Sequence, residues 1–317
     1  MTNNENNIND IIFNEILKRG YTLDGNTRVY NIADSKLWYI TPEQAQAFLD
    51  LEKSPDYQNA VIDKEISLIN DNIEEITKDI KDKPLNIIDL GCGDGKKALL
   101  FISYLKDKKK LRYCPIDISG YMVEQAMKEL DKVGIKEVIK FQWNISDFEN
   151  LSNISSVLRS VEYKDNLILL LGNTLGNFEA DELLYKIKNS MKDDDVLLIG
   201  NGLNNLNYEE ILNSYNDTFV DKWLMKILTQ VGLKEDNLQF GVGFRHSRIE
   251  LYYVIKNDCR ITFLDKKIDF YAGDQIIIAF SYKYTKKDFE THMKKHFSRV
   301  KMFFSEDLGY AISLCQK

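Results

Sequence analysis

The sequence predicts an α/β protein: a doubly wound, largely parallel sheet closed by a terminal antiparallel hairpin, plus a second α+β domain. Three observations predict it. Between residues 85 and 195 the short apolar runs LNIIDL, LRYCPIDI, EVIKFQW, NLILLL and DVLLIG alternate with longer amphipathic segments, as βαβ units do. These runs are rich in Ile, Leu and Val, as strands covered on both faces are. After Gly200 the pattern changes to RIELYYVI, CRITFL and QIIIAFSYKY, close enough in sequence to pair antiparallel, and RVKMFFS and GYAISLCQ form a hairpin joined through EDL.

Taken in order, the segments before residue 85 read as mostly helical, with TPEQAQAFLDLEKS and VIDKEISLINDNIEEITKDI the clearest. Within the doubly wound part, helices are expected over 96–106, 121–133 and 180–191. Ser119 is placed to cap the second of them. YEEILNSYNDTFVDKWLMKILTQVG reads as long and helical, and His246 in GFRHSR as structural or as lying near the cleft. The economical division is one domain from 61–205 and 286–317 and a second from 1–60 and 206–285, with a cleft expected between them.

Composition narrows the function. A chain of 317 residues with 44% hydrophobic content can bury a large core. No stretch approaches the roughly 18 to 20 apolar residues that span a bilayer, and MTNNENNIND lacks the basic flank and apolar core of a signal peptide, so a cytoplasmic protein with no membrane partner is expected. Cys92, Cys114, Cys259 and Cys315 show no CxxC spacing and read as reduced core thiols. A net charge of −7 argues against a nucleic-acid partner, since phosphate contacts need clustered Lys and Arg. His292 and His296 in HMKKHF have a spacing compatible with a metal, but with no third ligand evident they read as solvated helix residues, and no metal is expected. A monomer or weak dimer is expected.

The strongest chemical signal is IIDLGCGDGKK, directly after the first strand of the parallel part. Gly91, Gly93 and Gly95 let the backbone turn tightly and admit a ligand, and the following helix presents amides at its start. Asp117 ends the next strand in PIDIS, where a carboxylate can accept both hydroxyls of a ribose. Asp89, beside the glycines, reads as orienting the loop through backbone amides or as touching the cofactor. A nicotinamide dehydrogenase is the competing reading, but such folds use GxGxxG, whereas DLGCGDG resembles the E/DxGxGxG form of class I S-adenosylmethionine-dependent methyltransferases. The terminal hairpin agrees with that family. The resemblance implies S-adenosyl-L-methionine as cofactor, held by Gly91, Gly93, Gly95, Lys97 and Asp117. It also implies that Asp147 in NISDF accepts from the adenine amine with Phe148 beside the ring; taken alone, Asp147 reads equally as a helix N-cap before FENL.

LLLGNTLGNF, residues 169–178, narrows the substrate. It resembles the GSxxGNF element of the ergothioneine-pathway histidine Nα-methyltransferases, a family that includes fungal N-methyltransferases of dimethylallyltryptophan. LNSYNDT, RIELYYV and IIIAFSYKYT resemble the family's AYxD, IEMHLV and IxTExSxKY in the same order, and LEKSPDYQ roughly follows its LPEYYxTR segment. The resemblance spans nearly the whole chain. It implies that Asn177 and Tyr215 grip the amino acid moiety of the substrate, that Tyr57 joins them in the catalytic group, and that Gly172 and Asn173 border the methyl donor. The proton acceptor is Tyr57 or a bound water. Such a site holds the deprotonated α-nitrogen in line with the sulfonium methyl, and positioning of this kind supplies roughly 7 to 11 kcal/mol of the barrier. Uncharged donors suit a substrate carboxylate better than an acid would.

The chain departs from its relatives where the side chain of the substrate would sit. In the histidine-specific enzymes a glutamate and a serine two residues later hold the imidazole; here the serine is Ser281 but the glutamate position is Ala279. The methionine of IEMHL becomes Leu251. A lost hydrogen bond to a charged group is worth about 1.5 to 3 kcal/mol. The expected substrate is therefore a free amino acid with an aromatic or apolar side chain rather than histidine. Histidine itself, in an ergothioneine-type pathway, is the first alternative. A methyltransferase-fold protein acting on a macromolecule, or a non-catalytic one, is the second.

Overall fold

The structure is a computed structural model that describes residues 3–78, 80–134, 151–205 and 207–317. Among these the strands are, in chain order, β1 (Thr22–Asp24), β2 (Thr27–Asn31), β3 (Leu85–Leu90), β4 (Leu111–Ile116), β5 (Asp165–Leu170), β6 (Val196–Gly202), β7 (Leu238–Arg245), β8 (Arg248–Ile255), β9 (Cys259–Phe263), β10 (Lys266–Phe270), β11 (Gln275–Tyr282), β12 (Arg299–Phe304) and β13 (Tyr310–Gln316). The chain divides into two compact units, one of residues 1–54 and 206–282, the other of 55–205 and 283–317.

The unit of 55–205 and 283–317 is built on a six-stranded sheet in the order β12-β13-β6-β5-β3-β4. β3 runs parallel to β4 and β5, and β5 parallel to β6. β13 enters antiparallel between β6 and β12, giving the doubly wound sheet with terminal antiparallel hairpin that the sequence predicts. Each apolar run becomes a strand because it is covered on both faces: β3 and β5 are buried at every position. On one face Ile87, Leu169, Leu198 and Ile312 pack with Phe101 and Ile102 of the helix Lys96–Leu105 and with Leu68 and Ile69 of the helix Asp63–Thr77. Burying each such side chain stabilises the fold by about 1.5 to 3 kcal/mol. The helix Gly120–Asp131 starts where expected, with Ser119 accepting from the Met122 amide at 3.4 Å. The expected strand EVIKFQW lies outside the described residues.

The unit of 1–54 and 206–282 holds a five-stranded sheet, β1-β2-β11-β8-β7, and a two-stranded one, β10-β9. β11 pairs parallel with β2 and antiparallel with β8, with a bulge between Ile277 and Ala279. The Ile278 carbonyl at this bulge is met by the Trp38 indole N–H at 2.8 Å, and Trp38 packs edge-on against Trp223 at 5.7 Å. β7 and β8 form a hairpin whose two turn residues, His246 and Ser247, both have positive φ (51° and 59°), the backbone of a type I′ turn without its usual Asn-Gly.

Three expectations are corrected or refined. The long helical stretch is two helices, Tyr208–Tyr215 and Thr218–Gln230, because Asp217 caps the second by accepting from the Phe219 and Val220 amides at 2.6 and 3.3 Å. CRITFL pairs with β10 rather than with its apolar neighbours β8 and β11, since a tight turn puts KKIDF in reach first. His292 and His296 are not simply solvated: both bond Asp181 at 2.9 Å, one through Nδ1 and the other through Nε2, and Lys295 joins the same carboxylate. These hydrogen bonds hold the Asp181 carboxyl far below its ordinary range, the Lys295 bond contributing most. Among the described residues no helix is long and apolar enough to cross a membrane, and no cluster of His, Cys, Asp and Glu is arranged to hold a metal. The four cysteines are free thiols.

Candidate functional site

Strand order creates the first half of the site. β4 flanks β3 on one side and β5 on the other, so the chain reverses its winding at the carboxyl end of β3, where open α/β sheets bind their ligands. The glycine loop occupies this point. The Gly91 and Cys92 amides both donate to the Ile116 carbonyl, at 2.8 and 3.0 Å, which pins the loop to the end of β4. Gly95 has φ 77°, and a Cβ there would stand 2.8 Å from Ala126 Cβ and 2.9 Å from its Cα, so only glycine lets the helix Gly120–Asp131 pack this closely. The helix Lys96–Leu105 starts on Gly95 with no side-chain cap from it, leaving its positive end directed at the loop.

Asp117, just past β4, accepts from the Gly93 amide with Oδ2 (3.1 Å) and from the Ser119 amide with Oδ1 (2.9 Å). Burial pushes its carboxyl up to about 6, against the pull of these amides. Asp89 instead accepts from the Tyr113 hydroxyl at 2.7 Å, and burial pushes it up to about 7 against that bond and the Lys97 charge. The loop-orienting role expected of Asp89 therefore belongs to Asp117, because Asp89 lies within the buried strand and Asp117 past the end of its own. Asp147 and Phe148 lie outside the described residues.

The turn after β5 explains its own lack of charge. Gly172 (φ 71°) and Asn173 (φ 64°) are both left-handed, and a 3₁₀ turn, Thr174–Asn177, follows. Asn173 Oδ1 accepts from the Gly202 amide at 2.5 Å and the Thr174 hydroxyl donates to the Leu171 carbonyl at 2.8 Å, so the polar groups of GNT close the turn and fasten it to β6. A Cβ at Gly91 would lie 3.2 Å from the Thr174 hydroxyl oxygen, so this turn and the glycine loop are in contact. Asn177, half-buried, closes the 3₁₀ turn.

Glu65 was not singled out by any motif. It lies on the helix Asp63–Thr77, fully buried, and both its oxygens accept from the Gly172 amide, at 3.0 and 3.1 Å. Lys97 Nζ stands 3.2 Å from its Oε2. One signal was readable: Glu65, Leu68 and Ile69 share the i, i+3, i+4 face of a helix, which puts a carboxylate on the apolar side. Tyr57 ends the short helix Pro55–Tyr57, which continues into a π-helical turn, Gln58–Ile62. The Tyr310 hydroxyl is held well above its ordinary pKa by burial first, then by the charge of Glu65, with a smaller contribution from Tyr57.

In the other unit, Leu251 on β8 and Ala279 on β11 are direct cross-strand partners, 4% and 2% exposed. Ser281 lies two residues on from Ala279, hence on the same face of the sheet. The Tyr215 hydroxyl reaches Ser281 Oγ at 3.3 Å from the end of the helix Tyr208–Tyr215. The three residues expected to meet the side chain, Leu251, Ala279 and Ser281, are thus gathered in one unit with Tyr215, while Tyr57, Asn177 and the glycine loop belong to the other.

The family model described as histidine-specific methyltransferase, SAM-dependent, matches residues 43–317. No curated protein matches the chain. Similar solved structures include an S-adenosylmethionine-dependent methyltransferase from Clostridium acetobutylicum, 13% identical over 86% of this chain and 98% of that one, with a TM-score of 0.46. The PH0226 protein from Pyrococcus horikoshii is 11% identical over 86% of this chain and 98% of that one, also with a TM-score of 0.46.

Proposed function

The chain belongs to the histidine-specific, S-adenosylmethionine-dependent methyltransferase family, and on that premise we infer that it methylates the α-nitrogen of a free amino acid whose side chain is aromatic or apolar. The observation that carries the choice of side chain is the Leu251–Ala279 pair. Where the resembling enzymes place a glutamate for the imidazole, this chain has a methyl group facing a leucine. The uncharged remainder of that face, the Tyr215 hydroxyl and Ser281, offers hydrogen bonds without a counter-charge for an imidazolium.

S-adenosylmethionine supplies an electrophilic methyl group on a sulfonium. The protein's task is then orientation. The glycine loop and Asp117 suit the ribose, since Asp117 is already aimed by two amides and needs little reorganisation to accept hydroxyls. The turn that delivers Asn177 is fastened at its start, where the Gly172 amide donates to Glu65 and Asn173 accepts from the Gly202 amide, so the amide side chain of Asn177 can hold an amino acid head group in one orientation. Tyr57 is assigned the proton-accepting side of the reaction, directly or through water.

The test is incubation of the protein with S-adenosylmethionine and each proteinogenic amino acid, followed by mass spectrometry for gains of one to three methyl groups. Methylated tryptophan, tyrosine, phenylalanine or an aliphatic amino acid is expected. Turnover of histidine with none of these overturns the reading. The family's histidine-specific description favours histidine as the second reading. Ala279→Glu separates the two: a carboxylate at that position should shift selectivity toward histidine by about tenfold or more, from the worth of one hydrogen bond to a charged group.

A further inference from the structure

Glu65 is a carboxylate with no exposed surface, on a helix face whose neighbours Leu68 and Ile69 are core residues. Burying an ion is costly unless partners compensate, and an apolar side chain of similar size often serves the fold as well or better. Its partners come from two segments far apart in sequence. The Gly172 amide, from the turn after β5, takes both oxygens, and the Lys97 ammonium, from the helix after the glycine loop, stands 3.2 Å away with its side chain only 19% exposed. Two further features show that the space is shaped for a carboxylate. A Cβ at Gly200 would collide with Oε1, and one at Gly172 would stand 2.5 Å from Lys97 Nζ. The Tyr310 hydroxyl, fully buried, makes no hydrogen bond of ordinary geometry among the described residues and lies beside the same carboxylate.

We propose that Glu65 is a positioning residue for the methyl-donor site, its carboxylate holding the Lys97 ammonium and the Gly172 turn in the arrangement that receives the cofactor. The proposal rests on the assignment of Lys97 and Gly172 to that site. An ammonium on a flexible four-carbon stem turns toward water unless a counter-charge holds it. An amide at the end of a buried strand likewise needs an acceptor. One carboxylate meets both needs, so the geometry of the glycine loop and of the β5 turn is set together.

The experiment is calorimetric titration of the full chain with S-adenosylhomocysteine, with circular dichroism to verify folding, for the native protein, Glu65→Gln, Lys97→Met and the double variant. Glu65→Gln should weaken binding about tenfold or more, and adding it to Lys97→Met should change affinity by less than about twofold, because the two act as one unit. If Glu65→Gln does not fold, Glu65→Asp carries the test: it keeps the charge but withdraws it by one methylene, and a severalfold loss is expected. Native affinity in a folded Glu65 variant, or effects of Glu65→Gln and Lys97→Met that simply add, overturns the proposal while leaving the donor site intact. Native affinity in Lys97→Met overturns the donor-site assignment itself, and the proposal with it.

Discussion

At Gly95 and at Ala279 the chain carries a smaller residue than it might, for opposite reasons. Gly95 is small because the backbone of Ala126 leaves no room, and no chemistry passes through the missing side chain. Ala279 is small where, on the proposed reading, a carboxylate of the resembling enzymes is absent, and there the missing group would be the chemistry. The unit of 55–205 and 283–317 is made of backbone features: amides pinned to Ile116, a carboxylate aimed by amides, left-handed turns. In the unit of 1–54 and 206–282 the assigned residues Leu251, Ala279 and Ser281 are side chains on two paired strands, just past a bulge.

The largest expected effect is on the backbone-built side. Asp117→Ala removes the acceptor of two amides together with the expected ribose ligand, each charge-assisted bond being worth about 1.5 to 3 kcal/mol, so affinity for S-adenosylhomocysteine should fall by about 100-fold or more in calorimetry. Retained affinity would break the comparison at its base. Next comes a matched pair of glycine substitutions read by thermal unfolding. Gly95→Ala meets the Ala126 backbone and a left-handed φ, and overpacking plus the φ penalty should cost about 2 to 4 kcal/mol. Gly241→Ala meets only the half-buried ring of Tyr252, at 2.5 Å, which can swing aside, so a loss under about 1.5 kcal/mol is expected. Equal losses would mean that the two units are equally rigid.

The smallest expected effect is a pH dependence confined to the unit of 55–205 and 283–317. Asp89 and Asp117 are raised from 3.8 to about 7 and about 6 by burial. Between their unfolded and folded values the native protein holds protons that the unfolded chain has released, so stability contributed by these groups is full below about pH 4 and is lost as pH rises toward 7. The melting temperature of the ligand-free protein should therefore fall between pH 5 and pH 8, and Asp89→Asn, which still accepts from Tyr113, should flatten that fall. An unchanged slope would show that Asp89 titrates in the ordinary range.

Much of the fold was legible where one segment suffices to specify it. LNIIDL is β3 and Ser119 caps its helix, because burial on both faces and capping are local matters. β7 was missed because its glycines, Gly241 and Gly243, and Gln239 interrupt the apolar pattern; the strand holds through its full pairing with β8. The helical reading of 208–232 held, but the break at Asp217 was not visible, because its capping competes with helix continuation at short range. His292 and His296 were read as solvated because their shared partner, Asp181, lies 111 and 115 residues away in sequence.

By itself the sequence determined the class of sheet and the glycine loop with Asp117 after the neighbouring strand. These follow from spacing and residue type within short windows. Only the tertiary structure decided that Glu65 lies under Gly172, 107 residues away, that Leu251 faces Ala279 across the ladder, and that the amides belong to Asp117 rather than Asp89. Contacts of this kind depend on strand register and helix packing, which no single segment specifies.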